Sequence, residues 1–463
     1  MESPHKEPTM KRREALKMLG VGAATMALPR GRLATAAPKK KPNILFLFTD
    51  DQREDTVAAL GNPHIITPNL DGLVKEGFAF TNAYCMGGNS SAVCFPSRKM
   101  TLRGRSWFSV DTVPPDGPCF PATMNEAGYV TYHHGKRGNT DKWAHGFFDQ
   151  SHYLDDGADR TSGYPGKPVA DDAIAFLREH KKNDSGKPFF LYLAFGNPHD
   201  PRVAAKEYMD LYDPAKIPLP PNFLPFHPFN NGEMKIRDEG LAPWPRTPEV
   251  VRKHLRDYYA VVTAMDEQIG RILAALKEIG EYDNTIILFS SDQGIAIGSH
   301  GLMGKQNLYE HSMGVPLVFC GPGIPKGKSS DAFAYLFDVY PTVCELVGAK
   351  TPKSLEGKSL AGVIQGTSAG VRDTILLAYL KIQRAVRRGQ WKLLRYPEVN
   401  VTQLFNLEAD PYETKNLADD PAQAERVKEL MKILAEEQKR FGDKAPLTVE
   451  NPKPAAVNLS FFR

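Results

Sequence analysis

Largely apolar runs at 44–48, 189–195, 285–289 and 315–319 each stop abruptly, at Thr49-Asp50-Asp51, at GNPHDPR, at SSDQG and at CGPG. Short continuous runs of this kind predict strands buried on both faces. Between the second and third runs the apolar period changes: Val251, Leu255, Tyr258, Val262, Met265, Ile269, Ile272, Leu276 and Ile279 predict one long amphipathic helix over 248–279. Strands alternating with helices predict an α/β fold, with a mainly parallel, mixed central sheet sandwiched by helices. Ligands of such sheets bind beyond the carboxyl ends of the strands. The polar clusters fall at those ends, so they are expected to form one site.

A Pro-rich tract over 214–248 has little periodicity and predicts an ordered excursion over the surface, either walling a pocket or simply wrapping the fold. The main domain is expected over 42–370. In the remainder, 371–463, short strand-like stretches at 375–379, 383–387, 391–395 and 404–405 precede a helix over 421–441 with the stripe Val427, Leu430, Met431, Leu434 and Phe441. That order predicts a smaller C-terminal antiparallel sheet with a packed helix. There is no internal repeat.

Composition adds limits. A charged fraction of 24% and a hydrophobic fraction of 41% are those of a globular protein, and no apolar run is long enough for a membrane span. A net charge of +4 on 463 residues assigns no nucleic-acid partner and does not oppose an anionic substrate. At the N-terminus, Arg12-Arg13 precede a weakly apolar stretch at 18–28 and small residues at 34–37, which reads as a twin-arginine export signal over 1–37 and a periplasmic or exported chain. Five cysteines (85, 94, 119, 320 and 344) show no metal-type spacing, and Cys320 is expected in the core.

The stretch CFPSRKMTLRGR, 94–105, carries the most specific chemistry. Pro96 suits the first turn of a helix, so Cys94 is expected at a helix N-terminus with Arg98 one turn on, facing the same side. Taken alone, a free cysteine is more often a small buried hydrophobe. The stretch resembles the signature of the type I, formylglycine-dependent sulfatases of the alkaline phosphatase superfamily, a CxPSR core with a TGR-like end. Phe95 fills the variable position, and Arg103 replaces the usual threonine before Gly104-Arg105. The likeness runs over about 42–421 and includes LFNLEADPYETKNLADDP near the C-terminal end.

The resemblance implies a mechanism. Cys94 is oxidised by a formylglycine-generating enzyme, in the cytoplasm if export is of the folded chain. The hydrated aldehyde, held by Arg98, attacks sulfur, the alcohol leaves, and the second hydroxyl expels sulfate. Lys136 in YHHGKRG and Lys305 in GKQNLYE match the sulfate-binding lysines, and His199 in NPHDPR matches the histidine at the ester oxygen, a candidate acid. Asp50, Asp51, Asp292 and Gln293 offer hard oxygen ligands; with the matured Cys94 they suit Ca2+, with Mg2+ as the alternative. Two positions depart from the family pattern. Gln293 stands for the usual Asn or His, and Gly138 for a histidine: either His133, His134, His145 or Asn139 takes its place, or the site runs without that base, or catalysis is impaired.

Arg202 is a candidate sugar contact or a surface ion pair, and His300 a loop histidine with a structural hydrogen bond. The nearest likeness is to exported bacterial sulfatases acting on sulfated sugars. Rival readings are a phosphatase or phosphonate monoester hydrolase of the superfamily, and a degenerate protein that binds sulfated glycans. The sequence displays no second cluster of Asp and His, which favours one metal and sulfate over phosphoryl chemistry with two.

Overall fold

In the computed structural model, which describes residues 40–136, 142–183 and 185–457, eight strands form one sheet. Their order is Lys328–Ser330, Gly77–Phe80, Leu317–Cys320, Thr285–Ser291, Asn43–Asp50, Phe189–Pro198, Val130–Gly135 and Gln150–Tyr153. The expected export segment, 1–37, lies outside the described residues, as do Gly138 and Asn139. Among the described residues no helix is long and apolar enough to cross a membrane.

Asn43–Asp50 is central and pairs in parallel with Phe189–Pro198 on one side and Thr285–Ser291 on the other. Alternation along it sends Ile44, Phe46 and Phe48 to one apolar layer and Leu45 and Leu47 to the other, all with no exposed surface. A strand buried on both faces must be apolar at every position, which is why the run was continuous. The helix Pro248–Glu278 covers the second layer with Met265, Ile269, Ile272 and Leu276. It starts where the Thr247 hydroxyl accepts the Val250 amide and Pro248 takes the first helical position.

Leu317–Cys320 departs from the expected plan. It runs antiparallel to both of its neighbours, so the CGPG turn lies at the opposite end of the sheet's strands from the other polar clusters. The reason is the buried loop between Gln293 and Val315, which crosses the carboxyl end of the sheet before the chain turns back down. All five cysteines are buried, unbridged thiols, with Cys320 in the apolar layer.

Thr374–Tyr379, Gln383–Arg388, Trp391–Tyr396 and Val401–Asn406 form an antiparallel sheet against the helix Ala424–Phe441. An unexpected fifth strand, Gly87–Gly88, pairs with its edge just before the Cys94 helix. Gly87 adopts a φ of 99°, and a Cβ there would meet the Ala378 carbonyl oxygen at 2.1 Å, so only glycine admits this approach. The contact is reinforced by a buried ion cluster: Lys392 Nζ stands 2.7 Å from Glu310 and 2.8 Å from Glu413, and Arg387 stands 3.0 Å from Glu310.

Removing one partner from a buried cluster leaves charge uncompensated. Lys392→Met is expected to lower stability by about 3–5 kcal/mol in urea unfolding, through Glu310 and Glu413 left facing each other. A change below about 0.5 kcal/mol would mean the cluster does not hold the two sheets together.

Candidate active site

Asp50 ends the central strand, and Asp51 follows it with a φ of 65°, a left-handed conformation uncommon for any residue but glycine. Bonds at its amide, carbonyl and carboxylate hold Asp51 there. Its amide donates to Asp292 Oδ1 at 3.0 Å, its carbonyl accepts the Tyr258 hydroxyl at 2.6 Å, and its carboxylate receives Lys305 Nζ at 2.7 and 2.8 Å. Strain so over-determined is a feature of functional sites. Asp292 and Gln293 arrive from Thr285–Ser291, the neighbouring parallel strand, whose register sets Thr49 opposite Ser291.

The helix Cys94–Arg103 begins at Cys94 itself. Its Sγ lies 3.3 Å from Asp50 Oδ1, 3.0 Å from Gln293 Nε2 and 3.1 Å from Lys305 Nζ. Ser97 fixes the helix by donating to the Asp292 carbonyl at 2.6 Å. One turn along, Arg98 bonds Asp292 at 2.8 Å and Asp50 at 3.2 Å. The groups expected from separate segments therefore converge within one buried cluster; Asp50, Asp51, Asp292, Gln293 and Arg98 have no exposed surface.

Its charges nearly cancel. Burial raises the Asp50 pKa, but Lys136, at 3.0 Å, and Arg98 outweigh it and hold the carboxyl far below the usual range. Asp292 is pushed up to about 7 by burial and by the neighbouring Asp50. Burial and the same Asp50 charge raise the Cys94 thiol, so it stays protonated. A divalent cation fits this donor set. Carboxylate oxygens of Asp50, Asp51 and Asp292 and the Cys94 sulfur lie within 4.8 Å of one another, and repulsion between two of those carboxylates already disfavours ionising Asp292. Gln293 Oε1 is buried and makes no hydrogen bond. A half-turn of that amide would bring the carbonyl oxygen to the carboxylates.

His199 marks the open rim, its side chain 12% exposed, with Nε2 3.8 Å from Asp51 Oδ2. Its Nδ1 donates to the Asp200 carbonyl at 2.7 Å, which leaves Nε2 facing the cluster. Burial and Lys305 lower its pKa. Asp200 is paired with Arg237 from the Pro-rich tract.

That tract is not a loose wrap. Its Glu239 accepts the backbone amides of Met303 and Gly304 at 3.0 and 2.9 Å, and Asp238 accepts the Gln306 side-chain amide at 2.8 Å, so it braces the backbone before Lys305 and the side chain after it. An acidic pair inside a Pro-rich stretch was the available signal for this role.

Arg202 is half-buried rather than a surface ion pair, with its guanidinium 5.3 Å from the centre of the Tyr258 ring. His300 is a structural histidine, stacked on Tyr309 at 3.8 Å and bonded to the Glu413 carbonyl at 2.9 Å. Of the histidines considered as replacements at Gly138, His133 packs against His145 at 4.0 Å, and His145 bonds Tyr153 at 3.0 Å. His134 points to the other face of the sheet, toward Asp172 at 3.1 Å. A second Asp and His grouping, His134, His152 and Asp172, thus exists after all. It shares no residue with the Cys94 cluster, whereas another such grouping, Asp51, His199 and Asp200, overlaps that cluster through Asp51.

The chain is similar to known proteins. The family described as Sulfatase matches residues 42–349, and the C-terminal family of N-sulphoglucosamine sulphohydrolase matches 298–440. An N-acetylglucosamine-6-O-sulfatase of Bacteroides thetaiotaomicron is 27% identical over 94% of each chain, and an arylsulfatase of Clostridium perfringens is 30% identical over 86% of this chain and 94% of its own. A structure solved with its substrate D-glucosamine-2-N,6-O-disulfate superposes with a TM-score of 0.73 at 26% identity, covering 89% of this chain and 100% of that one. Phosphonate monoester hydrolase from Silicibacter pomeroyi has the same fold, with a TM-score of 0.70 at 22% identity over 87% of this chain and 96% of its own. With two thirds of the chain inside the family match and the cysteine, carboxylates and lysines drawn together, this chain belongs to the sulfatase family, enzymes that hydrolyse sulfate esters.

Proposed function

We propose that this chain removes a sulfate group from a sulfated sugar, using formylglycine made from Cys94 by a formylglycine-generating enzyme, after export to the periplasm or beyond. The convergence of Cys94 with Asp50, Asp51, Asp292, Gln293 and Lys305 carries the reading. The preference for a sugar rests on the relatives, whose names include an N-acetylglucosamine-6-O-sulfatase and whose structures include a complex with a disulfated glucosamine. A division into a catalytic part, 42–370, and a C-terminal part, 371–463, belongs to the same proposal.

Residue 94, as the aldehyde hydrate, supplies the oxygen that attacks sulfur. Asp50, Asp51, Asp292, Gln293 and residue 94 would hold one Ca2+, or Mg2+, which supplies positive charge at the sulfate oxygens. In the structure Lys305 and Lys136 neutralise Asp51 and Asp50. With a cation doing that, their N–H groups turn to the sulfate, where charge shifts as the ester bond breaks. Arg98 Nη1, buried and unbonded, is the donor left to orient the oxygen on residue 94. His199 Nε2, aimed inward by the Nδ1 bond to Asp200, is an acceptor in the neutral ring; once it takes up a proton, as the sulfate's negative charge enters the pocket, it is placed to pass that proton to the leaving alcohol. Burial of the cluster excludes competing water. Arg202, against Tyr258, contributes to substrate binding through its place beside His199.

The test is matured enzyme assayed on 6-O-sulfated N-acetylglucosamine, 4-nitrophenyl sulfate and a phenylphosphonate ester. Sulfate release is expected to dominate and to fall to background in Cys94→Ala; faster phosphonate hydrolysis would overturn the reading. His199→Asn is expected to cut kcat on the sugar sulfate by about 10²–10³, where the alkoxide needs a proton. On the nitrophenyl ester, whose leaving group needs none, the loss stays below about tenfold. Equal losses on both would assign His199 to binding alone.

A further inference from the structure

The edge of the sheet holds a second set of metal-type side chains with no part in the chemistry above. His134 on Val130–Gly135 and His152 on Gln150–Tyr153 are direct cross-strand partners, so both project from the same face. The helix Lys167–Asn183 packs over that face and carries Asp172. Nδ1 of His134 and Nδ1 of His152 each stand 3.1 Å from Asp172 Oδ2, and the ring centres are 5.9 Å apart. Three ligand atoms from three segments thus lie around one point.

We propose that His134, His152 and Asp172 form a zinc site, separate from the catalytic cluster, that pins the two strands at the sheet edge to the helix Lys167–Asn183.

The donor spacing suits it: ligand atoms ~2.1 Å from a tetrahedral zinc stand ~3.4 Å from one another. The donor type suits it as well. Two imidazoles and one carboxylate select zinc-like ions, whereas the oxygen-rich catalytic set selects calcium, so the two sites would sort different ions. His134 Nδ1 is buried yet makes no hydrogen bond, although the Asp172 oxygen is within reach; the pair is close without being aligned. A carboxylate oxygen shared by two imidazoles is a hydrogen-bond triad without metal and a ligand set with it. The His152 and Asp172 side chains are 50% and 45% exposed, so a metal has an entry path and a fourth position open to water. The inner strand runs on to Lys136, so the clamp would steady the segment that presents that lysine.

The experiment uses the full chain, stripped of metal, saturated with Ca2+ to fill the oxygen-rich site, and titrated with Co2+ as a spectroscopic substitute for Zn2+. One equivalent is expected to bind with the visible bands of nitrogen-ligated, low-coordinate cobalt, and Zn2+ is expected to displace it. Zn2+ should also raise the unfolding temperature. His152→Ala and Asp172→Asn, both at exposed side chains and checked for native far-UV dichroism, should each weaken binding by about tenfold or more and abolish the thermal shift. Absence of binding in the Ca2+-saturated chain overturns the proposal. So does cobalt bound equally well by both variants, which would place it at a thiol or another site.

Discussion

The guanidinium of Arg98, with no exposed surface, is bonded at once to Asp292 at 2.8 Å, to Asp50 at 3.2 Å and to the carbonyls of Thr49 and Phe195 at 3.3 Å. Those partners sit at the carboxyl ends of three adjacent parallel strands. Arg98 therefore ties the Cys94 helix to the sheet and fixes where it starts, since both residues lie about one turn apart. The charge is costly to bury, and it is tolerated because two carboxylates and two carbonyls face it. Without it, Asp50 and Asp292 would repel each other across a dry interior.

A second layer of support positions Lys305. The loop that carries it is buried along its length, which obliges its backbone to find protein partners. Glu239 supplies two from the Pro-rich tract, where Asp238 also holds the Gln306 side chain, and Gln383, from the C-terminal sheet, donates to the Gln306 carbonyl at 3.1 Å. Segments far apart in the chain thus converge on one lysine. The C-terminal sheet reaches the Cys94 helix from the other side through Gly87–Gly88.

What could be read from the sequence follows from how each signal arises. Strands buried on both faces are apolar throughout and end at polar residues, so the central strands and the acids at their ends stood out. The CxPSR stretch was legible because Pro96 and Arg98 set Cys94 in a helical frame. Gln150–Tyr153 was not, because an edge strand reading QSHY is half exposed and carries no apolar alternation. The direction of Leu317–Cys320 is set by a loop rather than by its own residues, so no local pattern shows it. The His134, His152 and Asp172 grouping comes from three ordinary-looking positions that meet only through strand register and helix packing. The packing of Arg202 on Tyr258 was not legible, because an aromatic partner fifty-six positions away leaves no local trace.

The central claim is that this buried cluster exists to hold a modified Cys94. The direct measurement is the mass of the tryptic peptide 76–98 from protein made with a formylglycine-generating enzyme, with fragment ions assigning the change to position 94 rather than to Cys85. The expected result is a peptide lighter by the exchange of a thiol-bearing carbon for an aldehyde. An intact thiol at Cys94, with a control sulfatase matured in the same cells, would contradict the account and leave a protein that binds sulfated sugars without cleaving them.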